Sequence, residues 1–410
     1  MKPRLLLLSY AFPPVALPEA PLSAKRMGNL PGYDVDVVCI RPFGRTVRAD
    51  SSLNLYVAER FGRVERIAPS SALTILMGRK LGAALLIPDP LRLMNRRALA
   101  AALRMRPEHY AAIVTWSQWH SIHLVGLALK ERFPNLPWIA HFSDPWAENP
   151  LAPWGPLLRL CNRRLEERVL SRADRLSFTS PETVALSLSG PRAAFAAKAF
   201  DLPHAFEPEL YPPLRPRTEG PLLIRYIGNF YGRRSPEPLF RALGALAREN
   251  PGDLSGVTVE IVGETARAML ETGSYRGLPA GLVTFRDPIP YRESLALMRE
   301  ADLLLVVDAP APESVFLPSK LVDYIGAARP ILGLTPRGAA ARVIAGYGGI
   351  VANPADDKAA IQVLRAGIAL ARAHRGKDFG ESSFRNSFTA AHVGAKFGRV
   401  VDGLVRRGAE

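Results

Sequence analysis

The sequence predicts an α/β protein with two doubly wound parallel sheets, one in each half of the chain. Short apolar runs of strand length alternate with longer helical patterns, as in successive β-α-β units. A proline-rich segment interrupts this alternation near the middle of the chain, and the alternation then begins again. With 410 residues, of which 48% are apolar and 22% charged, the chain is long enough for two complete cores.

Apolar runs in the first half of the chain have the length of buried strands. They are LLLLS (5–9), VDVVCI (35–40), RVERIA (63–68), AAIVTWS (111–117), WIAHFS (138–143) and RLSFTS (175–180). Near-continuous apolar strands separated by helices are typical of a parallel sheet covered on both faces. After the first run, residues 9–28 contain Pro13 and Pro14 and no clear early helix, which predicts a long loop there.

The segment EPELYPPLRPRTEGP (207–221) contains five prolines, which cannot continue a helix or a central strand. It is expected to link two domains. After it the strand-like runs are LLIRYIG, VTVEIVG, LVTF, DLLLVVD and PILGL. We therefore predict an N-terminal domain over 1–206, a linker over 207–221 and a C-terminal domain over 222–385. A last helix over 386–410 is expected to pack back on the N-terminal domain.

The net charge of +15 makes nucleic acid or an anionic membrane a candidate partner. The arginines are scattered, however, and no zinc-ligand spacing, RNP-like strand or aromatic-basic block is present, so no nucleic-acid partner is expected. The densest basic segment is RLMNRRALAAALRMRP (92–107), whose arginines recur at helical spacing. Such a helix can lie on anionic lipid. An ordinary solvated helix face is the alternative.

Two features bear on the compartment. Cys39 and Cys161 both lie in apolar patterns and are expected to be small core residues, which fits a reducing environment. The first apolar run is too short for a signal peptide, and no run has the length of a membrane span. We therefore expect a cytoplasmic protein.

Ligands of doubly wound sheets bind outside the carboxyl ends of the strands. Asp144 follows the fifth run, in SDPW, where it can act in chemistry or cap a helix. In IGNFYGRRSPEP, Gly228 and Gly232 flank a turn, and Arg233 and Arg234 precede a helix. Two guanidinium groups at a helix start suit a diphosphate, although arginines at helix starts are also commonly just solvated.

In PSKLVDYIGAARPIL, Ser319 and Lys320 begin a predicted helix that carries Asp323. The unpaired N–H groups of a helix start favour negative charge. Asp323 is expected to be exposed or half-exposed, and the alternative role is a simple interaction with the helix dipole from the first turn. His120 and His123 are one helical turn apart, but no third ligand is nearby, and a core or surface position is favoured over a metal site.

Taken in order, these segments resemble the retaining glycosyltransferases of the GT-B type, in particular the large GT4-like family, also called glycosyltransferase group 1. The resemblance covers nearly the whole chain. SYAFPP resembles the first loop of the family, HFSDPW its fifth strand end, and YIGNFYGRRSPEPLFRAL the opening of its nucleotide domain. ADLLLVV follows at the expected interval. PSKLVDYIGAARPIL is the most specific of these matches.

The resemblance implies two Rossmann-like domains facing a cleft, with the N-terminal domain on the acceptor side. It implies transfer of a sugar from a nucleotide-diphosphate sugar to a carbohydrate or lipid-linked acceptor, in surface polysaccharide or glycolipid synthesis. No metal is implied, and no cofactor apart from the donor substrate. Such an enzyme would be cytoplasmic or peripheral on the inner face of the cell membrane, where residues 92–107 could dock.

The resemblance also implies roles for particular residues. Asp323 would accept hydrogen bonds from the ribose hydroxyls of the donor, and Asp144 would orient the acceptor or act as a base. The remaining donor-binding residues it implies are Gly228, Asn229, Arg233, Arg234, Glu313, Ser319 and Lys320.

The chain departs from the family pattern at several of these positions. The family glutamate eight residues before the helix acid is replaced by Val315, and Glu313 is two residues too early unless the loop is rearranged. Asp323 is one methylene shorter than the usual glutamate, and Asn229 stands where an arginine is common. A sugar-nucleotide epimerase of the same fold remains an alternative, and a basic nucleic-acid-binding protein is a weaker one.

Overall fold

The computed structural model describes residues 2–43, 47–71, 73, 86–152, 154–213 and 217–407. The chain divides into two compact units. Unit 1 comprises Met1–Ala205 and Ala390–Glu410, and unit 2 comprises Phe206–Thr389. Residues 214–216 of the predicted linker and residues 408–410 of the predicted last helix lie outside the described residues.

Unit 1 contains, within its described residues, a sheet of seven parallel strands in the order β3-β2-β1-β4-β5-β6-β7. The strands are β1 (Arg4–Ser9), β2 (Asp34–Ile40), β3 (Val64–Ile67), β4 (Ala112–Ser117), β5 (Trp138–Phe142), β6 (Arg175–Phe178) and β7 (Ala199–Asp201). Among the described residues before the domain boundary, the helices are α1 (Glu19–Met27), α2 (Asn54–Arg60), α3 (Asn95–Arg104), α4 (Ser121–Arg132), α5 (Pro156–Arg172) and α6 (Pro181–Ser187). 3-10 helices are formed by Ser51–Leu53, Pro90–Met94, Pro107–His109 and Gly190–Lys198.

The central strands of unit 1 are apolar along most of their length because both faces of the sheet are covered. Every residue of β4 and of β5 is buried. The predicted strands of the first half are all confirmed. Strand β7 was not predicted, since its three half-buried residues carry no recognisable period.

The prediction of a long loop over residues 9–28 is wrong, because helix α1 occupies Glu19–Met27. The prolines that discouraged a helix either precede it or, like Pro21, lie in its first turn. Proline is tolerated there because the N–H groups of the first turn have no partner within the helix.

Unit 2 contains a second parallel sheet, in the order β10-β9-β8-β11-β13-β15, and a two-stranded ladder of β12 and β14. The strands are β8 (Leu222–Ile227), β9 (Val257–Val262), β10 (Val283–Arg286), β11 (Leu303–Val307), β12 (Glu313–Ser314), β13 (Ile331–Leu334), β14 (Arg337–Gly338) and β15 (Ile350–Ala352). The helices are α7 (Glu237–Glu249), α8 (Arg267–Leu270), α9 (Gly273–Arg276), α10 (Tyr291–Glu300), α11 (Ser319–Ala327), α12 (Ala339–Gly346), α13 (Asp357–Ala373) and α14 (Ser382–Asn386). Pro208–Leu210 and Pro251–Leu254 form 3-10 turns. The predicted fold class, two doubly wound parallel α/β units, is confirmed.

The last helix, α15 (Ala390–Arg407), belongs to unit 1 and packs against α1. Gly394 permits this close approach, since a Cβ there would collide with the backbone carbonyl of Asn29. Tyr33 donates a hydrogen bond to Asp402 at 2.7 Å. In the part of the chain that the structure describes, no helix combines the length and the apolar character needed to cross a membrane.

Candidate functional site

The residues that the sequence singled out fall in both units. Asp144 follows β5 of unit 1, which also contains His120 and His123. The predicted donor-binding residues lie in unit 2, after β8, in β12 and at the start of α11. The best-defined group in unit 2 is built by Gly228, Arg234 and Lys320, with Asp323 one helical turn further along α11.

Two glycines allow the strand ends of unit 2 to approach closely. Gly228 follows β8 with a φ of +140°, a region that residues with a Cβ rarely adopt. A Cβ at Gly228 would collide with the end of the Lys320 side chain. At Gly263, after β9, a Cβ would collide with the carbonyl of Gly228. The turn after β8 therefore leaves room for a lysine that enters from α11.

The ammonium group of Lys320 is buried and has no hydrogen-bond partner among the described residues. Its Nζ lies 3.7 Å from the centre of the Tyr226 ring, which partly compensates its charge. Burial lowers the pKa of Lys320 well below its usual value, the charge of Arg234 lowers it further, and Asp308 opposes the shift. A buried cation without a hydrogen-bond acceptor is costly, and an anion placed here would supply what is missing.

The two arginines of the predicted pair have different surroundings. Arg234 donates a hydrogen bond from Nη2 to Oδ1 of Asp308 at 2.9 Å and lies over the ring of Tyr231. Its Nε is buried and has no hydrogen-bond partner in the described part of the chain. Arg233 is exposed and donates to the carbonyl of Pro310 at 3.1 Å. Arg234 is therefore the fixed member of the pair.

Asp308 was not predicted as part of the site. It follows β11 directly and is buried, with Oδ2 accepting a hydrogen bond from the Thr335 hydroxyl at 2.7 Å. The sequence carried a signal for it, because a carboxylate ends the apolar run DLLLVVD at the carboxyl end of a central strand. Its role in the structure is to hold the guanidinium group of Arg234.

Asn229 has a structural contact in the turn. Its side-chain Oδ1 accepts a hydrogen bond from the backbone N–H of Glu264 at 2.9 Å, which ties the turn after β8 to the segment after β9. The carbonyl of Asn229 accepts a bond from the Tyr226 hydroxyl at 3.3 Å.

Helix α11 begins at Ser319, after Pro318, and no side chain caps its start. The Tyr324 hydroxyl accepts a hydrogen bond from the backbone N–H of Ile227 at 2.9 Å, which fixes the helix to the end of β8. The first N–H groups of a helix have no partner within the helix and carry its positive dipole end. Lys320 and this helix start therefore contribute positive potential to the same region.

Asp323 is the fifth residue of α11, and it is buried. The expectation that it is exposed or half-exposed is therefore wrong. The alternative of a dipole interaction from the first turn is also wrong, because the first turn contains no acidic residue. Its Oδ1 accepts a hydrogen bond from the Tyr291 hydroxyl at 3.0 Å, and its backbone carbonyl accepts one from Tyr211 at 2.8 Å.

Glu313 lies in β12, which pairs with β14. Its side chain is exposed and forms an ion pair with Arg337 at 3.7 Å. Among the described residues, no hydrogen bond or ion pair joins Glu313 to Lys320 or Asp323. The structure thus groups Gly228, Arg234 and Lys320, whereas the described residues show no hydrogen bond or ion pair between Glu313 and this group.

In unit 1, Asp144 is exposed and lies two residues beyond the end of β5. Close to it is a buried ion pair that the sequence did not suggest. Arg26 donates to Oε1 of Glu19 at 3.0 Å, the Trp116 indole donates to the same oxygen at 2.6 Å, and the guanidinium group lies 4.2 Å from the Trp116 ring centre. Burial raises the pKa of Glu19. The charge of Arg26 and the hydrogen bond from Trp116 lower this pKa, whereas the charge of Asp144 raises it further.

His120 and His123 pack among aromatic side chains. The His120 ring stacks on Trp146 with centroids 5.0 Å apart, and burial lowers the pKa of His120 to about 3. His123 shares a 2.8 Å hydrogen bond with the Thr115 hydroxyl. Within the described residues, no group of three or more His, Cys, Asp or Glu side chains is arranged to hold a metal ion.

Solved structures similar to this chain share its fold over their whole length. Sucrose-phosphate synthase from Thermosynechococcus elongatus has a TM-score of 0.68 and 18% identity, with 99% of this chain and 100% of that chain covered. Anabaena HepE in complex with UDP and glucose has a TM-score of 0.62 and 14% identity, covering 98% and 100%. The UDP-forming trehalose-phosphate synthase of Burkholderia xenovorans in complex with glucose-6-phosphate also has a TM-score of 0.62 and 14% identity, covering 98% and 100%.

The chain has the GT-B fold. At these identities the similarity establishes the fold alone. No protein-family model matches the chain, and the search of curated proteins gave no significant match.

Proposed function

We propose that the protein is a glycosyltransferase that moves a sugar from a nucleotide-diphosphate sugar to a carbohydrate or lipid-linked acceptor. The observation that carries the proposal is the buried ammonium group of Lys320, which lacks a hydrogen-bond partner among the described residues and lies beside Gly228. A diphosphate would provide the acceptor oxygens that this group lacks.

The donor diphosphate is proposed to bind at the start of α11. Lys320, the helix N–H groups around Ser319 and the anchored guanidinium group of Arg234 supply fixed positive charge, and the turn at Gly228 and Asn229 lets a phosphate come close to the backbone. Arg233, which is exposed, would contact the donor more peripherally. Two of the structural neighbours, HepE and the Burkholderia synthase, support a sugar-nucleotide or sugar-phosphate ligand by analogy only.

Asp323 is proposed to accept hydrogen bonds from the donor ribose. Asp323 is a buried carboxylate whose Oδ1 accepts a hydrogen bond from the Tyr291 hydroxyl, and carboxylate oxygens are suited to accept bonds from ribose hydroxyls. The Tyr291 hydroxyl then orients the carboxylate. Glu313 stays a prediction as a donor contact, since it would have to leave its pairing with Arg337.

We propose a retaining reaction of the GT4-like type that needs no metal ion. The charge that develops on the leaving diphosphate can be stabilised by groups already in place, namely Lys320, Arg234 and the N-terminal end of α11. The donor is a substrate, and no further cofactor is proposed.

Acceptor binding is proposed for unit 1, with Asp144 orienting the acceptor hydroxyl or taking its proton. The exposure of Asp144 at a strand end, next to the buried pair of Glu19 and Arg26, supports this role. The product is proposed to be a surface polysaccharide or glycolipid precursor. The enzyme would act in the cytoplasm, at the inner face of the cell membrane, with residues 92–107 toward the lipid.

Product analysis tests the proposal. The protein is incubated with a panel of nucleotide sugars and with carbohydrate and lipid-linked acceptors, and the products are identified by mass. A new glycoside together with free nucleotide is expected from a transferase. An isomerised sugar nucleotide or free nucleotide and sugar, without a glycoside from any acceptor, would indicate the epimerase alternative instead.

A further inference from the structure

Unit 1 has five exposed leucines among its described residues. Leu55 lies apart in α2, and the other four, Leu93, Leu151, Leu157 and Leu160, lie near the starts of α3 and α5. The exposed fraction is 38% for Leu93, 55% for Leu151, 71% for Leu157 and 44% for Leu160. Leu93 lies just before α3, and the other three lie just before α5 or in its first turns. Grouped exposed apolar residues in a folded domain commonly mark an interaction surface.

The topology of unit 1 brings these segments to one edge of the sheet. Helices α3, α4 and α5 pack side by side in that order. Each precedes or follows a parallel strand, so all three begin at the carboxyl ends of the strands. With helix axes roughly 8–10 Å apart, the starts of α3 and α5 are about 20 Å apart.

A hydrogen bond and a ring stack attach the segments before α3 and α5 to the start of α4. The Ser121 hydroxyl donates to Asp89, which immediately precedes the 3-10 turn Pro90–Met94 that contains Leu93. On the other side of Ser121, the His120 ring stacks on Trp146 in the segment that leads to α5. The segment before α3 and the segment before α5, which carry the leucines, are therefore both held against the start of α4.

A cavity of about 490 Å³ opens beside Leu93. The described residues that line it are aliphatic or basic: Leu86, Ile87, Arg92, Leu93 and Arg96. Arg92 donates a hydrogen bond to the carbonyl of Ile87 at 2.7 Å, which holds its guanidinium group at the rim. No carboxylate pairs with Arg92 or Arg96 in the described part of the chain.

The opposite end of the basic segment 92–107 is electrostatically compensated. Arg104 pairs with Glu65 at 3.3 Å, and Arg106 pairs with Glu108 at 3.6 Å. Arg97 donates to the carbonyls of residues 68 and 69. The uncompensated positive charge of this segment is therefore next to Leu93.

Helix α5 repeats this combination of leucine and arginine. Leu157, Leu160 and Arg164 are spaced by three and four residues, so they share one face of the helix. All three are exposed, and among the described residues no carboxylate pairs with Arg164. The next arginine, Arg163, is by contrast paired with Glu148 at 2.7 Å.

We propose that this edge of unit 1 docks on an anionic lipid bilayer. The leucine–arginine surface consists of Leu93, Leu151, Leu157, Leu160, Arg92, Arg96 and Arg164. The leucines would enter the boundary between headgroups and acyl chains, and the arginines would meet the headgroup phosphates. The assignment narrows the docking region to one end of residues 92–107 and adds a second segment, at α5.

The charge of the surface argues against a second copy of the chain as its occupant. In a symmetric dimer the same patch faces itself, so three arginines without carboxylate partners would face three others. The phosphate backbone of a nucleic acid would not bury the four exposed leucines, which argues against nucleic acid as the partner. An anionic bilayer is the partner that matches both the apolar and the basic part of the surface.

Co-sedimentation with vesicles tests the proposal on the full chain. The vesicles are phosphatidylcholine alone or phosphatidylcholine with about one quarter phosphatidylglycerol, and binding to the second is expected to weaken with added salt. Leu157→Ser with Leu160→Ser should lower partitioning at least about tenfold, since both side chains lose their apolar burial. Arg92→Gln with Arg96→Gln should lower it by about 25-fold, because each basic residue near the surface is worth roughly fivefold.

Arg104→Gln with Arg106→Gln is the matched control. It removes the same charge from the same segment, but from guanidinium groups that already face Glu65 and Glu108. We expect it to change partitioning by less than about threefold. Equal losses in both arginine pairs would mean that only net charge matters, and this would overturn the proposed surface.

Two other results would also overturn it: no binding of the wild-type protein to anionic vesicles, or a dimer in sedimentation equilibrium that the leucine substitutions dissociate. The inference deepens the membrane location given under the proposed function and rests on it in that respect, but not on sugar transfer itself. Nucleotide titration of the same variants separates the two proposals, because all the substitutions lie in unit 1 and should leave donor affinity unchanged. Vesicle binding by a protein without nucleotide affinity would count against the transferase alone.

Discussion

At the scale of single residues, Lys320 and Asp323 are one helical turn apart on α11, and their surroundings differ. The ammonium group of Lys320 is buried with an aromatic ring as its neighbour, whereas the Asp323 carboxylate is held by the Tyr291 hydroxyl at 3.0 Å. Folding stabilises the position of Asp323 and leaves Lys320 with an unmet hydrogen-bonding requirement. An anionic ligand would meet it, which is the physical reason for placing the donor diphosphate here.

Asp323→Ala is expected to lower both stability and donor affinity. The substitution removes the buried carboxylate that accepts the hydrogen bond from the Tyr291 hydroxyl, at a cost of roughly 1–3 kcal/mol in the free energy of unfolding. It also removes the proposed ribose contacts, and we expect a loss of at least about tenfold in donor affinity. Urea unfolding and nucleotide titration of the same variant measure the two effects.

Tyr291→Phe provides the control for this variant. It removes the same hydrogen bond but keeps the carboxylate, so it should lower stability while leaving donor affinity within about threefold of wild type. Equal losses of affinity in Tyr291→Phe and Asp323→Ala would show that Asp323 acts through its structural bond and not on the ribose.

At the scale of elements, the turn after β8 and helix α11 form one assembly. Tyr324 ties the helix to Ile227, and the missing Cβ of Gly228 leaves room for the Lys320 side chain. The position of the ammonium group therefore depends on a residue in another element, 92 positions earlier in the sequence. Substitution of that glycine should affect the site without touching any ligand-binding side chain.

Gly228→Ala is expected to displace Lys320 and to lower diphosphate affinity at least about tenfold, since one charge-assisted hydrogen bond is worth roughly 1.5–3 kcal/mol. Gly232→Ala is the matched control in the same turn. Gly232 also has a positive φ, +58°, but a Cβ there meets no atom within 4 Å. It should cost about 1 kcal/mol of stability and little affinity. Calorimetric titration with a nucleoside diphosphate compares the two, and equal affinity losses would refute the steric explanation.

Much of the element pattern could be predicted from the sequence, because long buried strands such as β4 and β11 are continuously apolar. Strands β7, β12, β14 and β15 were missed, since two or three residues carry no period. Helix α1 was missed because its prolines were given more weight than their position in the first turn. The pair of Glu19 and Arg26 could have been suspected from its spacing of seven residues, which is two helical turns, but its third member, Trp116, is 97 residues from Glu19.

In the candidate site too, contacts between residues that are far apart in the sequence could not be predicted. The sequence placed Lys320, Gly228 and Arg234 at strand and helix ends, and the structure brings these three together. The sequence did not indicate that Arg234 is held in place while Arg233 is exposed. This difference depends on Asp308, which follows another strand and accepts a hydrogen bond from Arg234. The sequence also did not indicate that Asp323 is buried, since the tyrosines that cover it lie 32 and 112 positions away.

At the scale of the whole molecule, the net charge of +15 arises from arginines that are scattered along the chain. Many arginines act inside the two units. Arg225 pairs with Glu260 and Glu300, and Arg375 donates to the carbonyls of residues 219–221. In unit 1, three arginines without a carboxylate partner among the described residues, Arg92, Arg96 and Arg164, lie near exposed leucines in the sequence, and in unit 2 the notable charge is the buried ammonium group of Lys320. This distribution fits a membrane surface and an anionic ligand better than it fits nucleic acid.

Calorimetric titration of wild type and Lys320→Met with nucleoside diphosphates and the matching nucleosides measures whether Lys320 makes unit 2 a site for a diphosphate group. Lys320→Met keeps most of the apolar stem and removes a buried charge, so the variant should be at least as stable as wild type. Wild type should bind one of the diphosphates at least about tenfold more tightly than its nucleoside, and Lys320→Met should lose most of that difference. A folded Lys320→Met protein that retains the full preference for the diphosphate, or a wild-type protein with no preference for any diphosphate, would show that Lys320 does not form a diphosphate site.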